Sequence, residues 1–402
     1  MGQDTVVSQQ PLSRVLGSKS WMTTGRPALP SRATVVRGRE AVTALQPALS
    51  AFSRRTGQAG AMDWLDHLLL SPTSLKKDPH VVLFCRNAGA SDRIDADSLL
   101  GATLIYEYRF AGMPTGIFAT DDINGTRTVL APAPSRLEVA QHAIAQLMVR
   151  KAAIVFASVD EDAALAQEPP VLPGVALARR TRWIPTTLAL GDTVDATLAP
   201  LGTRTRRNLR YYRRRAAAEL GAQFVPQAQP SREEFLALNC ASTHPLSQDD
   251  AIWRYELFDR SRQRGATLYA GMRSADGEWF SLIWGQRRDN ALEIEWQINR
   301  ADISHHSFSI AMRAFLLEHE VMMGTKQLRF IGGTQHSIRA ASANRPVTDI
   351  LAVRSGSVRS WALRRYAQRL LPDANFLRGA LEDEAMGPTM STATVRAGLW
   401  NF

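Results

Sequence analysis

The chain has 402 residues, more than one hydrophobic core usually organises, so two domains are the first expectation. Its net charge of +10 is concentrated: residues 1–62 hold eight Lys or Arg against Asp4 and Glu40, residues 201–220 hold seven Arg against Glu219, and the rest is near neutral. With no apolar run of about 18 residues and only Cys85 and Cys240, a membrane span and a disulfide framework are both unexpected.

In chain order, residues 1–62 read as a poorly ordered basic tail rich in Ser, Thr, Gly, Pro and Arg, with a short helix near Val42–Phe52. The same acid-poor composition fits an organelle transit peptide. No basic segment leads into an apolar stretch at the N-terminus, so a reducing cytoplasm is the simplest location. A first lobe is expected over 63–166. It has a helical run Met62–Leu70, a strand Val81–Cys85 bounded by Pro79, and strands Leu99–Phe110 and Thr115–Ala119. A helix opened by Ser135 and a buried strand Ala152–Ser158 complete it. Pro169, Pro170 and Pro173 mark a linker over 167–178.

A second lobe is expected over 179–371, and 372–402 reads as a mobile tail. The lobe opens with the strand Thr181–Leu188. An arginine-rich helix over Leu198–Gly221 follows, its apolar stripe made by Leu209, Tyr212, Ala216 and Leu220. Ser231 and Glu234 have capping-box spacing before the next helix, and a further helix runs over Asp249–Arg264. Strands Ala266–Met272 and Glu278–Gln286 flank Asp276-Gly277, whose residues suit a hairpin turn. After Asp289-Asn290 a third strand alternates. Leu292, Ile294, Trp296 and Ile298 fall on one face, with Glu293, Glu295, Gln297 and Asn299 on the other. A helix with Phe308, Ala311 or Met312, Phe315 and Met322 inward follows, and then a strand Gln327–Ile331. Beyond these come a short helix His336–Ala343, a strand Thr348–Arg354 and a basic helix Val358–Leu371.

This order of elements over Gly265–Gly333 resembles the acyl-CoA-binding half of a GNAT-superfamily acyltransferase. Upstream, Trp183-Ile184-Pro185 and Arg204-Thr205-Arg206-Arg207-Asn208-Leu209-Arg210, followed by Gly221, look like the "(K/R)xRRNLR…G" passage of CelD-like, FemAB-related acyltransferases. The likeness covers roughly residues 180 to 355. It implies two GNAT-like lobes in tandem, α+β or α/β in class. Each would hold a mixed, mostly antiparallel sheet flanked by helices, the first lobe being a structural or substrate-shaping partner. It implies acetyl-CoA or another acyl-CoA as co-substrate, and a small-molecule amine or amino-sugar as acceptor. Some FemAB relatives use aminoacyl-tRNA instead, and the arginine helix would then meet tRNA.

Acyl transfer to an amine needs a base, a polarised carbonyl and a held carrier. Glu295 and Glu293 are the candidate bases, although solvated residues on an outward face give the same alternation. Backbone N–H groups near 296–300 would polarise the carbonyl. The resemblance places the coenzyme near Ile298, Arg300, Ser304, His305, His306, Ser307 and Ser309. The Gly-rich "(Q/R)xxGxG/A" loop common in GNAT enzymes is replaced here by Arg300-Ala301-Asp302-Ile303-Ser304-His305-His306-Ser307. Serines before an amphipathic helix can bind an anion or simply cap it. Arg207 and Arg210, with Trp296, Gln335 and His336, are the candidate acceptor contacts. Tyr211 and Tyr212 among the arginines would also suit nucleic acid, though a solvated basic face is the commoner outcome. Cys240 and His244 have a metal-ligand spacing with no further ligands nearby, so no metal is expected.

Overall fold

In a computed structural model of the protein, residues 8–11, 32–58, 60–70, 77–86, 94–120, 128–132, 135–160, 172–263, 267–288, 290–330, 338 and 341–354 are described. The chain divides into two compact units, Met1–Trp183 with Pro346–Phe402, and Ile184–Arg345.

The first unit contains strands β1 (Ser8–Pro11) and β2 (Arg32–Arg37), then helices α1 (Arg39–Ala44), α2 (Gln46–Arg55) and α3 (Gly60–Leu70). Strands β3 (Lys77–Cys85), β4 (Leu99–Phe110), β5 (Met113–Ala119) and β6 (Val129–Leu130) follow, then helix α4 (Arg136–Val149) and strand β7 (Ile154–Val159). Strand β8 (Val175–Ala189) begins here and ends in the second unit. Neighbouring strands run antiparallel except β5 and β7, which are parallel. One face packs on α1–α3 through Val42, Leu49, Phe52 and Leu65, the other on α4 through Leu137, Ile144 and Leu147.

Two boundaries differ from the sequence reading. Residues 32–62 are not a tail: Val35, Val42, Leu49 and Phe52 are at most 2% exposed. Their apolar positions are diluted by Arg, Ser and Thr facing solvent, which hides the periodicity. The expected second lobe also ends early, because the last described strand, β14 (Ala343–Arg354), pairs with β7 of the first unit. Asp349 on β14, fully buried, accepts from Ser158 Oγ (2.7 Å) and Arg180 Nε (2.9 Å) and so fixes that register. The expected linker lies partly outside the described residues, and from Val175 onward it is strand β8. The strand expected over Val81–Cys85, bounded by Pro79 on its N-terminal side, begins at Lys77. β2 ends opposite His80, so the missing proline N–H breaks no ladder bond.

The second unit adds α5 (Val194–Leu198), α6 (Thr203–Leu220), β9 (Gln223–Val225), α7 (Arg232–Cys240) and α8 (Gln248–Gln263). The hairpin strands β10 (Thr267–Arg273), β11 (Trp279–Arg288) and β12 (Ala291–Asn299) come next, then α9 (Phe308–Met322) and β13 (Gln327–Phe330). The sheet order is β8-β13-β12-β11-β10-β9, antiparallel except for β12 beside β13. Helices α5, α6 and α9 cover one face through Leu198, Leu209, Phe308 and Leu316, and α7 and α8 cover the other through Phe235 and Phe258. The mixed sheets flanked by helices are the architecture expected from the sequence. Local signals hold as well: Ser231 and Glu234 form a capping box, and Gly221 ends α6 in the left-handed conformation with φ 58°.

Candidate active site at the open seam of β12 and β13

The seam between β12 and β13 is short. Ala291–Ile294 pair with Gln327–Phe330, and β13 then ends while β12 runs on from Glu295 to Asn299. Among the described residues no strand covers that outer edge of β12. Beyond Ile298 an isolated antiparallel bridge joins Arg300 to Ser242, and Ala301 N–H donates to Ala241 O at 2.8 Å, so the open stretch is Glu295–Ile298, roughly 13 Å at about 3.3 Å per residue. Arg300 N–H donates to Phe280 O on the opposite side, at 2.9 Å. The two-residue alternation therefore turns the main-chain groups of Gln297 toward the open edge. Arg300 itself drops out of the N–H groups that the sequence reading offered for polarising a carbonyl.

The opening begins at a β-bulge. Trp284 pairs with Trp296 and Gly285 with Ile294, so Glu295 is the extra residue. The strands approach so closely there that a Cβ on Gly285 would lie 2.3 Å from the Glu293 carbonyl oxygen. A lone glycine within a strand pattern was the signal for this, and the sequence reading passed over it. The consequence is a correction: the strict alternation over 292–298 fails at Glu295. Leu292 and Ile294 pack beneath α9, whereas Trp296 and Ile298 pack on the α7–α8 side.

The bulge changes what the predicted residues do. Glu293 is fully buried and faces Arg329 of β13, Oε1 to Nη1 at 3.4 Å. Both carboxylate oxygens of Glu295 are closed off from solvent. Neither acid thus lies on a solvated outward face. Trp296 packs against Phe235 and Phe258, at 5.9 and 5.2 Å between ring centroids, and the Ile298 side chain is core. Gln297 turns toward α9, where its Oε1 accepts from Arg313 Nε at 3.2 Å.

At the start of α9, Phe308 stacks on Phe280 at 4.9 Å, which pins the helix end to β11. Ser307 holds a left-handed conformation, φ 44° and ψ 58°, and its side chain makes no capping bond. Its carbonyl accepts from Ile310 and Ala311, leaving the N–H groups of Phe308 and Ser309 without a backbone acceptor among the described residues. His306 is buried against Phe308 with Nε2 at 3.8 Å from Glu219; burial and the neighbouring His305 lower its pKa. His305 is exposed. The Arg300 guanidinium is already held between Glu278 and Asp302, so it is not available to a phosphate. The Ser304 side chain, Gln335 and His336 lie outside the described residues.

Helix α6 runs antiparallel to α9. Arg213 pairs with Glu318 at 2.6 Å, and Arg215 donates to His305 O at 3.3 Å. Arg207 is eight residues before Arg215, about 12 Å further along the axis and away from the start of α9. Arg210 pairs with Asp195 at 2.6 Å. These two arginines are not brought to the seam, and the exposed face they share with Arg204 and Arg214 is a separate basic stripe.

The first unit holds two features the sequence reading missed. Ligand-type atoms of Asp78, His80 and Glu107 lie within 4.8 Å of one another. Arg109 already pairs with Asp78 at 3.0 Å, and Gly116 N–H donates to Glu107 at 2.7 Å. A cavity of about 800 Å³, lined by Phe52, Arg86, Leu99, Pro132, Ser135 and Glu138 among others, lies at the start of α4.

Fold and site together define a double-lobed α/β protein with an open parallel seam in its second unit. No family model and no curated protein matches the chain. Solved structures similar to it include L-PGS from Bacillus licheniformis, 12% identical with a TM-score of 0.47, covering 81% of this chain and 95% of that one. FemX is 9% identical with a TM-score of 0.46, covering 71% and 90%. A tandem GNAT protein from the clavulanic acid biosynthesis pathway is 13% identical with a TM-score of 0.41, covering 81% and 99%. At these values the likenesses assign no role to any residue.

Proposed function

We propose that the second unit transfers an acyl group from a carrier thioester, acetyl-CoA or another acyl-CoA, to an amine. The observation that carries this reading is the unfinished parallel ladder. A pantetheine arm has two secondary amides, and an exposed strand edge with outward N–H and C=O groups at Gln297 can pair with it as a strand would. The pyrophosphate would then reach the N–H groups of Phe308 and Ser309, at the positive end of the α9 dipole.

Glu295 is the better base of the two acids. It stands at the bulge where the opening starts, whereas Glu293 lies within the paired stretch, opposite Arg329. Glu295 would take the amine proton as nitrogen attacks the thioester carbonyl, and an N–H of the open edge would hold the developing oxyanion. Collapse of the tetrahedral intermediate expels the thiolate, which is protonated by water.

Titration calorimetry with coenzyme A and acetyl-CoA tests the carrier site. Saturable binding that is lost in Gly285→Val supports it, and no heat at millimolar ligand counts against it. An aminoacyl-tRNA donor is the second reading, favoured by the exposed stripe Arg204, Arg207, Arg210 and Arg214. It predicts retention of tRNA on the protein at low salt, released as salt rises.

A further inference from the structure

Arg313 projects from the second turn of α9 to the point where the two strands part. Its Nε donates to Gln297 Oε1 on the unpaired stretch of β12, at 3.2 Å. Its guanidinium carbon lies 5.7 Å from the ring centre of Phe330, the last residue of β13. The side chain therefore touches both arms of the fork. Nη1 is closed off from solvent and makes no hydrogen bond among the described residues. No carboxylate pairs with it there, and the burial that lowers its pKa is not offset by a counter-charge.

Two other buried charges of this unit face opposite charges. Glu320 takes both Arg287 nitrogens at 2.7 Å, and Glu293 faces Arg329. Arg313 is half-buried, and a cation withdrawn from water without a counter-charge is costly; folds keep one mainly where a ligand brings the missing charge. The guanidinium plane suits a carboxylate, which it can hold through two parallel N–H donors.

We infer that Arg313 is a specificity-determining residue that recognises a carboxylate on the substrate entering the fork. This rests on the proposed acyl transfer and narrows its substrate class. The carboxylate has two sources: a dicarboxylic acyl group on the donor, or an α-amino acid as acceptor. Either lets the anion reach Arg313 while the thioester stays at the bulge.

The test compares wild type with Arg313→Met and Arg313→Lys. Ligand-free Arg313→Met melts at or above the wild-type temperature, because it removes a half-buried charge that has no counter-charge. A drop of several degrees would show instead that Arg313 serves only as a brace for Gln297, and would overturn the inference. In calorimetry, wild type prefers succinyl-CoA over acetyl-CoA, or, with acetyl-CoA present, one of the common α-amino acids over its amide, by about tenfold. The first preference identifies the donor as the source and the second the acceptor. Arg313→Met abolishes the preference while its affinity for coenzyme A itself is unchanged, and Arg313→Lys falls between. Equal binding within every pair in wild type, or a preference that survives in Arg313→Met, sinks the carboxylate assignment alone. If coenzyme A and its thioesters fail to bind at all, the acyl-transfer reading falls. The carboxylate assignment then stands or falls on whether free succinate or the amino acids raise the melting temperature of wild type and not of Arg313→Met.

Discussion

The two units share a succession of elements, antiparallel strands, a helix and a strand that returns in parallel, but they finish the parallel seam differently. In the first unit β5 is paired through Ala119 to Phe156. Thr120 carries the stitching further: its N–H donates to Phe156 O at 3.2 Å and its hydroxyl accepts from Ser158 N–H at 3.3 Å. In the second unit, among the described residues, β12 runs on beyond its pairing with β13, with a bulge at the point of departure. Buried backbone groups must find partners, so a closed seam is complete in itself while an open one requires water or a ligand. Sealing the second seam, or loosening its glycine hinge, is the direct way to break the comparison.

Gly285→Ala has the largest expected effect, since the new Cβ would meet backbone rather than a movable side chain. Denaturant unfolding should show a loss of about 2–3 kcal/mol, and transfer activity should vanish with the bulge. The first unit supplies the contrast. A Cβ on Gly101 would lie 2.8 Å from Cγ2 of Val139, a side chain that can shift, so Gly101→Ala should cost about 1 kcal/mol and leave activity intact. Equal damage from the two would remove the special standing of the open seam.

Glu295→Gln comes next. It should fold normally and lower the transfer rate about a hundredfold or more at neutral pH, the size expected on losing a general base. Glu107→Gln, at the buried carboxylate of the first unit, should leave the rate unchanged. Arg329→Met has a smaller effect, on stability. It removes the Arg329 charge facing the buried Glu293 carboxylate, but Arg329 is itself 31% exposed, so about 1–2 kcal/mol is expected, with most of it recovered in the double variant Glu293→Gln/Arg329→Met.

Why the seam was hidden in the sequence, and the fold was not, follows from what each depends on. The capping box at Ser231, the stop at Gly221 and the stripe of α6 are local, and their residues act on neighbours three or four positions away. The seam depends on register. The alternation from Leu292 to Ile298 reads as an unbroken strand because apolar residues serve both faces of a sheet covered on both sides. Only Gly285, on the neighbouring strand, betrays the extra residue. Similarly, the resemblance places Arg300 near the coenzyme, but Glu278, distant in sequence and adjacent across the hairpin, pairs with its guanidinium. In the first unit the short helix expected near Val42–Phe52 is present as α2, but helices this short, with mixed polarity, carry too few turns to show that they belong to the core.

Acid sharpens the comparison with the smallest effect. In the second unit His306 and His319 both have pKa values lowered by burial. An unfolded histidine protonates near 6.5, so below that pH the unfolded chain binds protons that the folded unit refuses, and stability falls as pH drops. The two histidines add. In the first unit His80 is lowered in the same way, but burial raises the pKa of Glu107 beside it. Folded Glu107 takes up its proton at a higher pH than the unfolded chain does, which stabilises the folded state on acidification and opposes the histidine. Asp78, Arg109 and Arg37 also act on this pair, whereas His306 is faced by His305, Arg215 and Glu219. Hydrogen exchange between pH 7 and pH 5.5 should therefore show protection falling sooner in α6 and α9 than in β3 and β4, with His306→Gln reducing the difference. Uniform loss across both units would mean that these histidines do not set the acid response. Any change in activity over the same range would then have to come from the carboxylates at the bulge.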